Sequence, residues 1–314
     1  MPEPSAAIVV EGLSKRFGAL IAVDSLRFDV APGEIFCLVG PDGAGKTTTM
    51  RMLAGVLPPD AGSVAVVGYD IVGDPESVKN HISYMPQRFG LYEELTVDEN
   101  IRFYADIFGI GRREREQRAE RLLAAAGMSR FRSRLAGQLS GGMKQKLGLS
   151  CALIHTPRVL LLDEPTTGVD PVSRRDFWRI LYGLAAEGVT VLASTAYLDE
   201  AERCHRLALL HHGHLLLCDA PARLKSTMPG TVLAVTTPRP ATVRDSLLDA
   251  PGISSLLVVG DGVHLVVEDA ERHLPAVHQR LAALGIAAAD VARIAPTIED
   301  LFVASIRGRG GGGA

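Results

Sequence analysis

Residues 40–47 read GPDGAGKT, and they follow an apolar run, IFCLV, at 35–39. The eight residues fit G-x-x-x-x-G-K-[ST] at every defined position. No other part of the chain restricts the fold as strongly. The pattern calls for a buried strand before it, a loop that glycine lets bend, and a helix after it. The glycines allow backbone N–H groups to point at phosphate oxygens, and the helix adds the positive end of its dipole. Lys46 is expected to reach the outer phosphates and Thr47 to ligate Mg²⁺. Gly40, Pro41, Asp42, Gly43, Ala44, Gly45 and Thr48 complete the expected phosphate-binding loop and the helical turn that follows it.

The rest of the chain fits an α/β protein built on such a P-loop core. Residues 6–12 and 26–30 predict early strands. Residues 159–162 and 189–193 are short, continuous apolar runs, typical of strands buried on both faces. Residues 206–210 and 215–218 flank a turn at His212-Gly213. From about 96 to 154 the pattern turns helical. Thr96-Val97-Asp98-Glu99 predicts a capping box opening a helix that runs to about Phe108. A second helix spans 112–126 and ends at Gly127; its Arg- and Glu-rich face reads as solvated, with a docking surface as the other reading.

Composition shifts after about residue 226. Residues 231–237 predict a strand, 241–249 a helix, and 253–259 and 263–268 two strands joined by Gly260-Asp261-Gly262. A helix over 273–284 has Pro275 in its first turn. This is a small β-α-β-β-α unit, an α+β accessory domain. The domain boundaries expected are 1–225 for the P-loop domain, with a helical subdomain at about 88–155, then 226–307 for the accessory domain. The Gly-rich end, 308–314, is expected to be disordered.

A chain of 314 residues, 47% of them hydrophobic, can hold a sizeable core in one or two domains. Its net charge of -3 argues against non-specific nucleic-acid binding, so no nucleic-acid partner is expected. Cys37, Cys151, Cys204 and Cys218 lie far apart with no metal-ligand spacing. They read as reduced core residues of a cytosolic protein. The N-terminal residues lack the order of a signal peptide, and no apolar stretch approaches the ~18–20 residues that span a bilayer. The expectation is a soluble protein whose membrane role, if it has one, needs a partner.

Two further elements carry chemistry. In LLLDE, residues 160–164, an acid ends a buried strand, which is costly unless it holds a cation or is otherwise paired. Asp163 suits Mg²⁺, directly or through water, and Glu164 suits polarising an attacking water. In LSGGMKQ, residues 139–145, Ser140 can cap the helix that follows, while Gly141 and Gly142 expose its N–H groups. That makes a second anion site in one chain.

Taken together, these elements resemble the ATP-binding subunit of an ABC transporter over roughly residues 6–225, with LSGGMKQ similar to the family's signature sequence. The resemblance implies ATP as ligand and a head-to-tail dimer, homo- or heteromeric. ATP would lie between the phosphate loop of one subunit and Ser140-Gly141-Gly142 of the other. It also implies that Phe17 stacks on adenine, that Gln87 senses Mg²⁺ and water and links to the permease, and that Asp170 is the acid of a loop crossing the dimer interface. ISYMPQRFGLYEELTVDENIRFYADIFG, PTTGVDP and PTIEDLFVASIRG resemble ATPases of drug-resistance-type bacterial exporters. Those subunits pair with a separate integral membrane permease at the cytoplasmic face of the membrane.

The sequence departs from the family pattern at two places. Asp42 stands where many relatives have Asn, with ATP binding expected to survive. Ala196, in STAYLDEAE, stands where relatives commonly have a histidine that contacts the γ-phosphate. Slowed hydrolysis with ATP-driven dimerisation retained is the expectation, with Thr195 or an ordered water as partial substitute. The alternative is a hydrolysis-impaired partner in an asymmetric dimer. His205, His211, His212 and His214 read as residues around a solvated turn that do not fill the gap. A soluble ABC protein acting on ribosomes or DNA is disfavoured, since the chain has one ATPase unit and no long heptad run.

Overall fold

The chain begins as a long antiparallel hairpin. β1 (Ile8–Phe17) and β2 (Leu20–Val30) pair from Ile8 opposite Val30 to Phe17 opposite Leu20. Both strands reach well beyond the segments that patterning picks out, because register shifts between Val10 and Arg16 break the alternation of buried and exposed residues. Next come β3 (Ile35–Val39), α1 (Lys46–Leu53), β4 (Ala61–Val66), β5 (Tyr69–Asp70), α2 (Pro75–Lys79) and β6 (Ile82–Met85). The hairpin joins β4 and β5 in an antiparallel sheet of order β2-β1-β4-β5.

This computed structural model describes residues 6–310 except 249, 261, 288 and 289, with the backbone alone over 307–310. Two expected features fall partly outside the described residues: Asp261 of the hairpin turn and Asp249 at a helix end.

A second sheet carries the site. After the helical region come β7 (Val159–Asp163), α6 (Pro171–Ala186), β8 (Thr190–Thr195), α7 (Leu198–Ala201), β9 (Arg206–His211) and β10 (His214–Asp219). The order is β10-β9-β3-β8-β7-β6, and β9, β3, β8, β7 and β6 run parallel to one another. Every residue of β3, β7 and β8 is buried, as their continuous apolar sequences require. The core between the sheets joins Ile8, Val10 and Leu26 to Phe36, Leu38, Leu161 and Leu192, with Met50, Met52 and Leu53 of α1 packed among them. The C-terminal ends of β3, β7 and β8 therefore lie side by side, and ligands of such sheets bind beyond those ends.

The helical region comprises α3 (Val97–Ile107), α4 (Arg112–Ala125) and α5 (Gly141–Leu153). Val97 and Ile101 of α3, Ala119 and Leu123 of α4, and Leu147 and Cys151 of α5 share one core. The capping box at Thr96 forms: the Glu99 N–H donates to Thr96 Oγ1 at 3.2 Å, and the Thr96 N–H donates to Glu99 Oε2 at 2.8 Å. Thr96→Ala removes one of these acceptors and should lower the unfolding free energy by about 1 kcal/mol, read as a lower urea midpoint.

The chain divides into two compact units after Cys218. The second holds α8 (Pro221–Ser226), β11 (Thr231–Thr236), α9 (Pro240–Leu247), β12 (Ile253–Val259), β13 (Gly262–Val267), α10 (Ala270–Ala283), β14 (Val291–Ile294) and α11 (Ile298–Gly310). α8 thus belongs to the second unit, where the sequence boundary at 225 leaves most of it in the first. The sheet order is β12-β13-β11-β14, with every pairing antiparallel. Pro275 lies inside α10 rather than in its first turn. Asp269 starts that helix earlier by accepting from the Arg272 N–H at 3.1 Å. α11 extends into the Gly-rich end as far as Gly310, and 311–314 lie outside the described residues.

The cysteine reading needs correction. Cys37 and Cys204, expected as reduced thiols, form a disulfide between Cα atoms 6.1 Å apart. They are separated by 167 residues, and the pairing of β3 with β9 brings them together. Cys151 and Cys218 stay outside disulfides, and burial pushes the Cys151 thiol far above its usual range. No described helix is long and apolar enough to cross a membrane.

Candidate functional site

The loop after β3 meets α1 at Gly45, whose φ of +99° and close approach to the Ala22 carbonyl both exclude a side chain. No side chain caps α1, so its N-terminal N–H groups face the loop. Lys46 is buried, and its ammonium curls back over the loop. It donates to the Gly40 carbonyl at 2.9 Å and the Pro41 carbonyl at 3.1 Å, and pairs with Glu164 Oε1 at 3.1 Å. Both members of that pair are almost wholly shielded from water, with side chains 4% and 10% exposed, so screening is weak.

Asp163 ends β7, and Glu164 follows it beside this ammonium. The Thr47 hydroxyl donates to Asp163 Oδ1 at 3.1 Å, and the Ser194 hydroxyl from neighbouring β8 donates to the same oxygen at 2.6 Å. The Tyr84 hydroxyl reaches Asp163 Oδ2 at 3.3 Å; burial first, and then the Asp163 charge, push that phenol up to about 12. Glu164 adopts a left-handed backbone, φ +49°, rare for a residue other than glycine. Its N–H donates to Ser194, to the hydroxyl at 3.0 Å and the carbonyl at 3.2 Å. Glu164 Oε2 accepts from Gln87 Nε2 at 2.9 Å and from the Thr167 hydroxyl at 3.4 Å. The carboxylate is thus clamped between an ammonium and an amide, aimed into the loop.

A cavity of about 570 Å³ gathers Phe17, Leu20, Ile21 and Ala22, the loop residues Asp42, Gly43, Ala44, Gly45, Lys46, Thr47 and Thr48, and Gln87, Glu164 and His212. Asp42 is exposed, so its carboxylate is free to turn to solvent. Phe17 is 49% exposed, an open ring at the cavity's edge. Its strand is held by a device that patterning misses. Asp60 accepts from Lys15 Nζ at 2.7 Å and from the Arg16 N–H at 2.7 Å, and these bonds, led by that to Lys15, hold its carboxyl below the usual range.

Other expected residues lie elsewhere in the same unit. Ser140 caps α5, accepting from the Met143 N–H at 3.4 Å. A Cβ on Gly142 would stand 2.5 Å from Ser173 of α6. Asp170 caps α6, accepting from the Val172 and Ser173 N–H groups at 3.1 and 2.9 Å, and bonding to Ser173 keeps its carboxyl below the usual range. None of Ser140, Gly141, Gly142 and Asp170 lines the cavity.

Ala196 follows β8 and is exposed. The idea that Thr195 substitutes for a missing imidazole does not hold. Its hydroxyl is buried and donates to Glu200 Oε2 at 2.9 Å. Glu200 also accepts from the Thr166 hydroxyl at 2.9 Å and lies 3.5 Å from Arg174 Nε. This buried carboxylate ties the turn at Ala196 to the segment after Glu164. Its position in YLDEAE carries no signal of this role in the sequence.

Comparison with known proteins points one way. The family model described as "ABC transporter" matches residues 23–167. The chain is 43% identical over 314 residues to "Probable multidrug ABC transporter ATP-binding protein YbhF" of Escherichia coli (strain K12), covering 97% of this chain and 53% of that protein. It thus spans about half the length of this relative. It is 38% identical over 280 residues to "Nod factor export ATP-binding protein I" of Paraburkholderia xenovorans (strain LB400), covering 88% of this chain and 90% of that one. Among solved structures, a dimeric bacterial ABC transporter cassette superposes with a TM-score of 0.62 at 25% identity, covering 68% of this chain and 98% of that one.

Proposed function

The chain belongs to the family of ABC transporter ATP-binding proteins, and from that membership we propose that it binds and hydrolyses ATP at the Lys46 cavity to power export through a separate membrane permease. The observation that carries the proposal is the convergence of the Lys46 ammonium, the Glu164 carboxylate and the Gln87 amide on one cavity. In this reading the N–H groups of residues 40–47 and the start of α1 hold the phosphates. An entering triphosphate competes with Glu164 for Lys46. Glu164, still held by Gln87, is then placed to orient a water and accept its proton. Phe17 offers an open ring face for the purine.

Mg²⁺ fits the residues present. Thr47 Oγ1 and Asp163 Oδ1 are hard oxygen donors 3.1 Å apart beside the loop. The ion would supply neutralisation of the phosphate charge.

Ser140, Gly141, Gly142 and Asp170 lie outside the cavity, which supports their serving a second chain's nucleotide in a homo- or heterodimer. The names of the relatives support export, of the drug-resistance type. The permease would hold this chain at the cytoplasmic face of the membrane. The second compact unit is the accessory domain in this reading.

A slower variant of the same function is favoured by Ala196, whose methyl group offers the γ-phosphate nothing, and by the engagement of Thr195 with Glu200. Ala196→His should raise turnover roughly ten- to a hundredfold, the worth of one hydrogen bond to a charged group. Steady-state phosphate release with the native permease measures it. Equal rates in both forms would show that the site needs no imidazole there. The proposal as a whole is tested by titrating the full chain with Mg-ATP and by isolating it with its native membrane protein. Failure to bind ATP removes the ATPase reading, and failure to co-purify with a membrane protein removes the transport reading.

A further inference from the structure

β9 and β10 are joined by His212 and Gly213 alone, both in the left-handed region, with φ of +48° and +80°. Two such residues between strands form a type I′ turn, which favours Asn or Gly at its first position. Histidine there accepts an uncommon backbone. The turn is pinned on two sides. The Gly213 N–H donates to the Ala44 carbonyl, inside the phosphate loop, at 3.2 Å, and the Asp24 N–H donates to the Gly213 carbonyl at 2.9 Å. A Cβ on Gly213 would stand 3.0 Å from the Ala22 carbonyl oxygen. The hairpin tip is therefore wedged between β2 and the phosphate loop. His212 is exposed at this tip and lines the cavity. The His211 ring packs against it edge-on, with centroids 4.1 Å apart, and His214 lies 3.7 Å from Asp24.

We propose that His212 is a nucleotide-binding residue that contacts the nucleoside half of ATP. The inference rests on the ATP reading above. Lys46, Thr47 and Glu164 mark the phosphate end of the cavity. The His212 tip is instead anchored at Asp24 and at Ala44, and packs against Ala22 on the strand that follows Phe17. An imidazole there presents a flat face to a purine and a ring nitrogen to a ribose hydroxyl. In the sequence, His205, His211, His212 and His214 cluster with no ligand spacing. In the fold, the pairing of β9 with β3 and the two backbone bonds of Gly213 hold His212 at the cavity.

The test is calorimetric titration of the full chain with Mg-ATP and, separately, with inorganic tripolyphosphate, which carries the phosphates without the nucleoside. His212→Gly removes the ring and suits the turn, because glycine adopts positive φ freely. ATP affinity should fall about five- to tenfold, while tripolyphosphate binding stays unchanged. His214→Gln, in the same hairpin, should bind both ligands as the unmodified chain does. If His212→Gly does not fold, His212→Asn, which the same turn favours, takes its place with the same expectation. Unchanged ATP affinity, or an equal loss for tripolyphosphate, overturns the assignment of His212. An unmodified chain that binds neither ligand overturns the nucleotide reading instead.

Discussion

Glu164→Gln should reduce ATP turnover about 10²–10⁴-fold, the usual contribution of a positioned general base, while ATP still binds. The substitution changes charge and basicity but little in shape. Gln87 and the Thr167 hydroxyl keep an oxygen to donate to, and the left-handed backbone held by Ser194 is untouched. ATP affinity should hold or rise, because Glu164 no longer competes with phosphate for Lys46 at 3.1 Å. Phosphate release and calorimetric binding, measured on the same preparation, separate the two effects. Full turnover in this variant would move the base to another group.

Lys46→Met should weaken ATP binding by about 10²–10³-fold, in the range for removing one partner of a buried, hydrogen-bonded charge pair. Two losses add here. The phosphates lose their cation, and the loop loses the ties to the Gly40 and Pro41 carbonyls that hold its curl. The variant should also be less stable by about 3–5 kcal/mol, because Glu164 is left buried without its cation. Adding Glu164→Gln to Lys46→Met should restore much of that stability and none of the ATP affinity. Urea denaturation and ATP titration of the double variant read both. Recovered ATP affinity in the double variant would contradict the direct role of Lys46.

How much of this was legible in the sequence follows from the range of the interactions involved. The phosphate loop could be read because its constraint is local: eight consecutive residues between a strand and a helix. β3, β7 and β8 could be read because strands covered on both faces need unbroken apolar runs. What stayed hidden depends on the order of strands in the sheets. Asp60 steadies the Phe17 strand from 45 residues beyond Lys15. Thr166 and Thr195 meet on Glu200 only because β7 and β8 are neighbours. The Cys37–Cys204 disulfide and the place of His212 likewise depend on β9 lying beside β3. Periodicity gives the faces of single elements and says nothing of which ends meet.

Ala196 was visible as a departure from a family pattern, and its surroundings sharpen its meaning. The adjacent Thr195 hydroxyl donates to Glu200, so that hydroxyl is not free to make up for the missing ring. The loop before Lys46 is tied to the same strand end, because the Gly40 N–H donates to the Thr195 carbonyl at 3.3 Å.

The measurement that tests this account most directly is steady-state phosphate release from Mg-ATP by the unmodified chain with its permease, run beside Glu164→Gln. The account predicts release that depends on Mg²⁺ and nearly vanishes in Glu164→Gln. Equal release by the two forms would contradict it.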